Sequence, residues 1–151
     1  MKNKKILIRI SVIGLLLVIG IGLYAYKEYN RKNIDLTDAK PAFVISQTDL
    51  VNEFAKDQNT SNKKYLGKLI ELSGNIKKID TDANGFHTVI LGTDSNMNSV
   101  RCSIDSSFNN KVHDLTIGSS ITIKGICTGY NADDLGLGSD VILNRSIAIK
   151  K

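Results

Sequence analysis

Residues 68–77 read Lys-Leu-Ile-Glu-Leu-Ser-Gly-Asn-Ile-Lys, in which Ile70, Leu72, Gly74 and Ile76 alternate with Glu71, Ser73, Asn75 and Lys77. A period of two sends successive side chains to opposite faces, so this is a strand with one face buried. The period recurs downstream. Residues 80–85 end in Asn84-Gly85, a strong signal for a tight hairpin, and residues 87–92 follow as a second strand. Beyond a polar turn at 94–99, Val100, Cys102 and Ile104 alternate with Arg101 and Ser103 in a third. Phe108, Val112 and Leu115 then stand at i, i+4 and i+7, the spacing of a short helix over 106–115. A fourth strand covers 120–130, with Ile121, Ile123, Gly125 and Cys127 on one face. After a glycine-containing loop at 131–139, a fifth covers 141–150.

Five strands with a helical insertion between the third and fourth is the order of an OB-fold, a small Greek-key barrel. Gly74 and Gly125 fall mid-strand on the inward face, where a closing barrel bends sharply. Upstream, Ser46-Gln47-Thr48-Asp49 has the form of a capping box, and Leu50, Val51, Phe54 and Ala55 share one face of the helix that follows. Phe54 is assigned to the core. Residues 59–64 read as a polar break.

Residues 6–26, ILIRISVIGLLLVIGIGLYAY, carry one charge, Arg9. About 20 mostly apolar residues suffice to cross a bilayer as a helix. Arg9 can snorkel toward Lys2, Lys4 and Lys5, and Tyr24, Tyr26 and Tyr29 stand where an interfacial aromatic belt would lie. A core helix has no use for basic clusters at both ends. A cleaved signal peptide would have a shorter apolar region ending in small residues, and here the run ends Tyr-Ala-Tyr-Lys. The expected order is therefore an uncleaved transmembrane signal-anchor at 1–32, a tether at 33–45 holding the only proline, Pro41, and the barrel domain with its N-terminal helix at 46–151. The fold class expected is all-β with minor helices, a five-stranded OB-fold barrel preceded by a transmembrane helix and a short amphipathic helix.

The chain of 151 residues has a formal net charge of +5. Residues 1–32 hold seven basic side chains against Glu28, a net of +6, so the remainder, with 13 basic and 14 acidic, is −1. The basic character belongs to the anchor. It supports membrane insertion, with the N-terminus cytoplasmic and the domain extracytoplasmic (periplasmic), and gives little support to general nucleic-acid affinity.

No catalytic constellation is apparent, and an enzyme is not expected. Asp80, Asp82, Asp94, Asp105, Asp133, Asp134 and Asp140 lie at turns, where aspartate caps backbone amides. Gly136-Leu137-Gly138 precedes a strand and so lacks the helix N-terminus a phosphate cradle needs. Neither a metal nor an organic cofactor is expected, since there is no Cys-x-x-Cys pair and His87 and His113 are far apart in sequence. Cys102 and Cys127 occupy inward positions, either as two small buried hydrophobes or as one disulfide across the barrel. OB-folds take ligands on the face of their second and third strands. The outward candidates there are His87 and Arg101, joined by Lys124 and Tyr130 from the fourth strand.

Tyr65-Leu66-Gly67-Lys68, Ile70-Glu71-Leu72-Ser73-Gly74, Val100-Arg101-Cys102, the run Ile123-Lys124-Gly125-Ile126-Cys127-Thr128-Gly129-Tyr130 and Asp140-Val141-Ile142-Leu143-Asn144 together resemble the tRNA_anti-like family. The resemblance spans about residues 50–149 and implies a bacterial OB-fold protein, often with an N-terminal anchor or signal. It implies fold and setting more than activity. Family members often carry a cysteine near the end of the last strand, where this chain has Asn144-Arg145-Ser146. The expected function is a membrane-anchored, non-enzymatic binding module for a protein, peptide or glycan of the cell envelope. The alternatives are a single-stranded nucleic-acid binder and a structural envelope component.

Overall fold

The computed structural model describes residues 2–29, 36–132 and 138–149, with the backbone alone at 2–13, 15 and 28. The chain forms two units, Met1–Ile34 and Asp35–Lys151. In the first, α1 (Lys2–Tyr29) is one helix, free of proline. Its described side chains, at 14, 16–27 and 29, are exposed and cover only part of the apolar run at 6–26. Among the described residues no helix is long and apolar enough to cross a membrane.

The second unit is a barrel. Its elements are β1 (Phe43–Ser46), α2 (Gln47–Lys56), α3 (Gln58–Tyr65), β2 (Leu69–Thr81), β3 (His87–Leu91), β4 (Ser99–Ile104), a 3-10 helix (Ser106–Asp114), β5 (Ser120–Asn131) and β6 (Asp140–Ile149). The strand order is β1-β2-β3-β4-β6-β5, and β5 returns to pair with β2 and close the ring. Length makes closure work. The first half of β2, residues 69–75, pairs with β5, and the second half, residues 76–81, pairs with β3. The register shifts between Ile76 and Lys78, where the strand passes from one partner to the other. The two mid-strand glycines sit at close approaches. A Cβ on Gly74 would come within 2.8 Å of Gln47 Cβ, and one on Gly125 within 2.5 Å of Ser146 Oγ.

Two segments differ from the sequence expectation. Part of the tether expected at 33–45 belongs to the barrel unit. Leu36 is buried, Ala42 N–H donates to the Leu69 carbonyl at 2.8 Å, and β1 pairs parallel with β2 from Phe43↔Ile70 to Ser46↔Ser73. The polar break expected at 59–64 lies within α3. Asp57 caps it, accepting from Thr60 N–H at 3.0 Å, and Tyr65 at its end is buried. Helix α2 starts as expected. Ser46 Oγ accepts from Asp49 N–H at 3.1 Å and donates to the Asp49 carboxylate at 2.6 Å.

Leu50, Val51 and Phe54 of α2 join Ile70, Leu72, Val89, Leu91, Val100, Cys102, Ile123, Cys127, Val141 and Leu143 in one core. Burial of a side chain the size of Phe54 contributes about 2 kcal/mol. Cys102 and Cys127 are both buried and free. Each pairs with Leu143, Cys102 from β4 and Cys127 from β5, so β6 runs between them. Two strand spacings amount to about 9.5 Å, beyond the roughly 7 Å that a disulfide can bridge between Cα atoms. The disulfide alternative is therefore set aside. Burial pushes the Cys102 thiol up to about 12, with a hydrogen bond to Ser146 pulling weakly the other way.

Candidate ligand face of the barrel

The outer face of β2, β3 and β4 follows from their register. Asp80 lies across from Thr88, and Thr88 across from Ser103. In the next row Lys78 faces Ile90, and Ile90 faces Arg101. The hairpin between β2 and β3 borders this face. Asp82 Oδ1 accepts from Asn84 N–H at 2.8 Å and Phe86 N–H at 2.9 Å, and Gly85 takes φ +82°, which suits a residue without Cβ. With the turn so fixed, Phe86 is held 52% exposed. A groove of about 480 Å³ opens here, lined by Asp80, Thr81, Asp82, Phe86, His87, Thr88, Arg101, Ser103 and Ile104.

Electrostatics decide what this groove favours. Arg101 extends between two carboxylates, 3.9 Å from Asp80 and 3.7 Å from Asp140. Asp80 also takes Lys78 at 2.6 Å. Asp140 in turn accepts a hydrogen bond from Ser99 Oγ, which ties β6 to β4. The face thus holds two cations, Lys78 and Arg101, among three carboxylates, Asp80, Asp82 and Asp140. A phosphate chain approaching Arg101 would meet acid on both sides.

Of the sequence candidates, His87 and Arg101 line this groove together; Lys124 and Tyr130 do not join them. Lys124 Nζ donates to the Thr37 carbonyl at 3.1 Å and the Ala39 carbonyl at 3.2 Å, fastening the segment ahead of β1. Tyr130 stacks on Phe54 at 5.2 Å between centroids, against the core. A register shift between Cys127 and Gly129 explains the reversal, because one extra residue turns every later side chain to the other face. Phe86 was not singled out by alternation, since it sits in the turn before β3. An aromatic directly after Asn84-Gly85 was the available signal.

Other sequence candidates have local roles. Asp105 caps the 3-10 helix, accepting from Ser107 N–H at 3.0 Å and Ser107 Oγ at 2.7 Å, and these bonds hold its carboxyl below the usual aspartate range. The positions Asp133, Asp134, Gly136 and Leu137 lie outside the described residues. Among the described residues no group of three or more His, Cys, Asp or Glu side chains is placed to hold a metal ion.

A closed five-stranded barrel with an added strand, a helical pair before it and a helical insert after its third barrel strand defines an OB-fold module. The chain belongs to the tRNA_anti-like family, whose model matches residues 1–144 and so includes α1. No functionally curated protein matches the sequence. Among solved structures, the fold is similar to a Klebsiella pneumoniae protein titled "putative nucleic acid-binding lipoprotein", at 18% identity and TM-score 0.55, over 70% of this chain and 91% of that one. It is also similar to the Stn1–Ten1 complex of S. pombe, at 17% identity and TM-score 0.36, over 55% of this chain and 59% of that one. An Entamoeba histolytica asparaginyl-tRNA synthetase matches at 21% identity and TM-score 0.40, over 55% of this chain but only 21% of the synthetase. At these identities the likeness concerns the fold.

Proposed function

We propose that this protein is a membrane-anchored, non-enzymatic binding module that takes a peptide, protein or glycan of the cell envelope on the β3–β4 face. The observation that carries the reading is the position of Arg101 between Asp80 and Asp140. Such a guanidinium offers directed hydrogen bonds in a field that is already neutralised. With Phe86 exposed beside it and Thr88 and Ser103 hydroxyls alongside, the groove suits a polar ligand with an apolar surface. The anchor is supported by the sequence of residues 6–26, about 31 Å long as a helix, and by the +6 charge of residues 1–32. On this reading the N-terminus is cytoplasmic and the domain extracytoplasmic.

A second reading is a single-stranded nucleic-acid module. Phe86 supports it, because an exposed aromatic beside an arginine can stack a base. The Klebsiella pneumoniae protein of similar fold, described as nucleic acid-binding, points the same way. The experiment that separates the two is a salt titration of a labelled oligonucleotide against the full chain in detergent. We expect weak binding with a shallow dependence between about 50 and 200 mM salt. Asp80→Asn with Asp140→Asn should strengthen it by roughly tenfold and steepen the slope, by freeing Arg101 for phosphate. Tight, steeply salt-dependent binding by the unaltered chain would overturn the preferred reading. For the location, protease added to spheroplasts should digest the domain, and digestion only after lysis would reverse the orientation.

A further inference from the structure

The two carboxylates beside Arg101 are each held by one oxygen. Asp80 Oδ1 takes Lys78 and Asp140 Oδ1 takes Ser99 Oγ, which leaves Oδ2 of both facing the guanidinium, at 3.9 and 3.7 Å. Those separations neutralise charge but exceed the roughly 2.7–3.2 Å of a made hydrogen bond. Guanidinium N–H groups and carboxylate lone pairs thus face one another with hydrogen-bonding capacity unspent.

We infer that this groove binds a neutral oligosaccharide of β-1,4-linked, all-equatorial pyranose rings. Arg101 and Asp80 grip a vicinal pair of hydroxyls, and Phe86 covers the face of one ring. The inference rests on the reading above, that the β3–β4 face takes the ligand. A hydroxyl donates and accepts at once, so it fits between an N–H and a carboxylate without adding charge. A phosphate would bring negative charge among three carboxylates. A peptide N–H only donates and its carbonyl only accepts, so neither serves both partners. A sugar ring whose substituents are all equatorial has a flat C–H face and a polar rim. The exposed ring of Phe86, with the Thr88 and Ser103 hydroxyls in the same groove, presents the matching surface. The volume of about 480 Å³ is that of a small-ligand site.

The test is titration of cellotetraose, and separately chitotetraose, into the full chain in a sugar-free detergent, followed by amide-resolved heteronuclear NMR. At least one should bind with Kd of about 0.1–1 mM, shifting the amides of Phe86, Thr88, Arg101 and Ser103, and the affinity should hold between about 50 and 500 mM salt. Phe86→Ala should weaken it at least about fivefold. Arg101→Lys, which keeps the charge but loses the planar fork, should do the same. Unchanged urea midpoints verify that both variants fold. Binding of neither sugar, or full affinity in either variant, would overturn the inference. If neither sugar binds, the oligonucleotide titration above separates the failures: weak, shallow binding leaves the proposed function standing, and tight, steeply salt-dependent binding removes both.

Discussion

Replacing Gly125 by alanine would put a methyl carbon 2.5 Å from Ser146 Oγ and 3.1 Å from both Cβ and Cδ2 of Leu143. Contacts under 3.0 Å are essentially never made by a real Cβ, so something must move. Ser146 and Leu143 are fully buried on β6, which is held by β4 on one side and β5 on the other. The neighbours thus have little freedom to yield. Overpacking of this kind costs about 1–3 kcal/mol, and the rigid surroundings argue for about 2 kcal/mol. In a unit of this size that lowers Tm by roughly 5–12 °C. Urea unfolding of the full chain, followed by far-UV circular dichroism, should show a lower midpoint at an unchanged slope. Gly92→Ala is the matched comparison. Its Cβ would meet nothing nearer than 3.5 Å, an ordinary contact, so it should be neutral or stabilise by up to about 0.5 kcal/mol through the unfolded chain. Adding Ser146→Ala to Gly125→Ala should recover about half the loss, since the Leu143 contacts persist. A Gly125→Ala midpoint equal to the original, or a Gly92→Ala loss of the same size, would refute the packing argument.

Asp105 has a lowered folded pKa, so its contribution is present above the unfolded value near 4 and is lost as pH falls through the folded one. Asp105→Asn keeps a capping oxygen but loses the charge, so it should reduce stability at neutral pH by about 0.5 kcal/mol and flatten the acid limb, as read from urea midpoints at pH 7 and about pH 3; parallel limbs would contradict the assignment. Lys124→Met should release the segment around Thr37 and Ala39 while leaving the barrel folded. Losing two charge-assisted bonds lowers the cost of local opening by about 1–2 kcal/mol, so limited proteolysis there should quicken roughly tenfold, and an unchanged rate would show that the lysine does not fasten it.

The five barrel strands were readable because each alternates for long enough to fix a face. Ile70, Leu72 and Ile76 are buried as their spacing requires, and so are Val100, Cys102 and Ile104. β1 was not readable, because Phe43–Ser46 is four residues long and its partner lies nearly 30 residues away. α3 shows no apolar stripe, since QNTSNKKY buries only Ser61 and Tyr65. It depends on the Asp57 cap and on Tyr65 packing beside Phe43 and Phe54. For the candidate site, alternation sent Lys124 outward correctly but could not reveal carbonyls 85 and 87 residues distant. Tyr130 turns toward the core against its alternation because of the register shift before it. His87 and His113 stand apart in sequence, and the Asn109–Gly85 bond ties together the elements that bring their rings to 5.5 Å.

The fastening of residues 36–46 also has a mechanical side. Tension applied from the direction of residue 35 meets the two Lys124 bonds first. It next meets the Ala42–Leu69 bond and the β1–β2 ladder. A pull along β1 loads that ladder in shear, all rungs together. The ring closed by β2 and β5 is reached last. The approach segment would act as strain relief: under load it gives way early, and the face on β3 and β4 keeps its shape while it does.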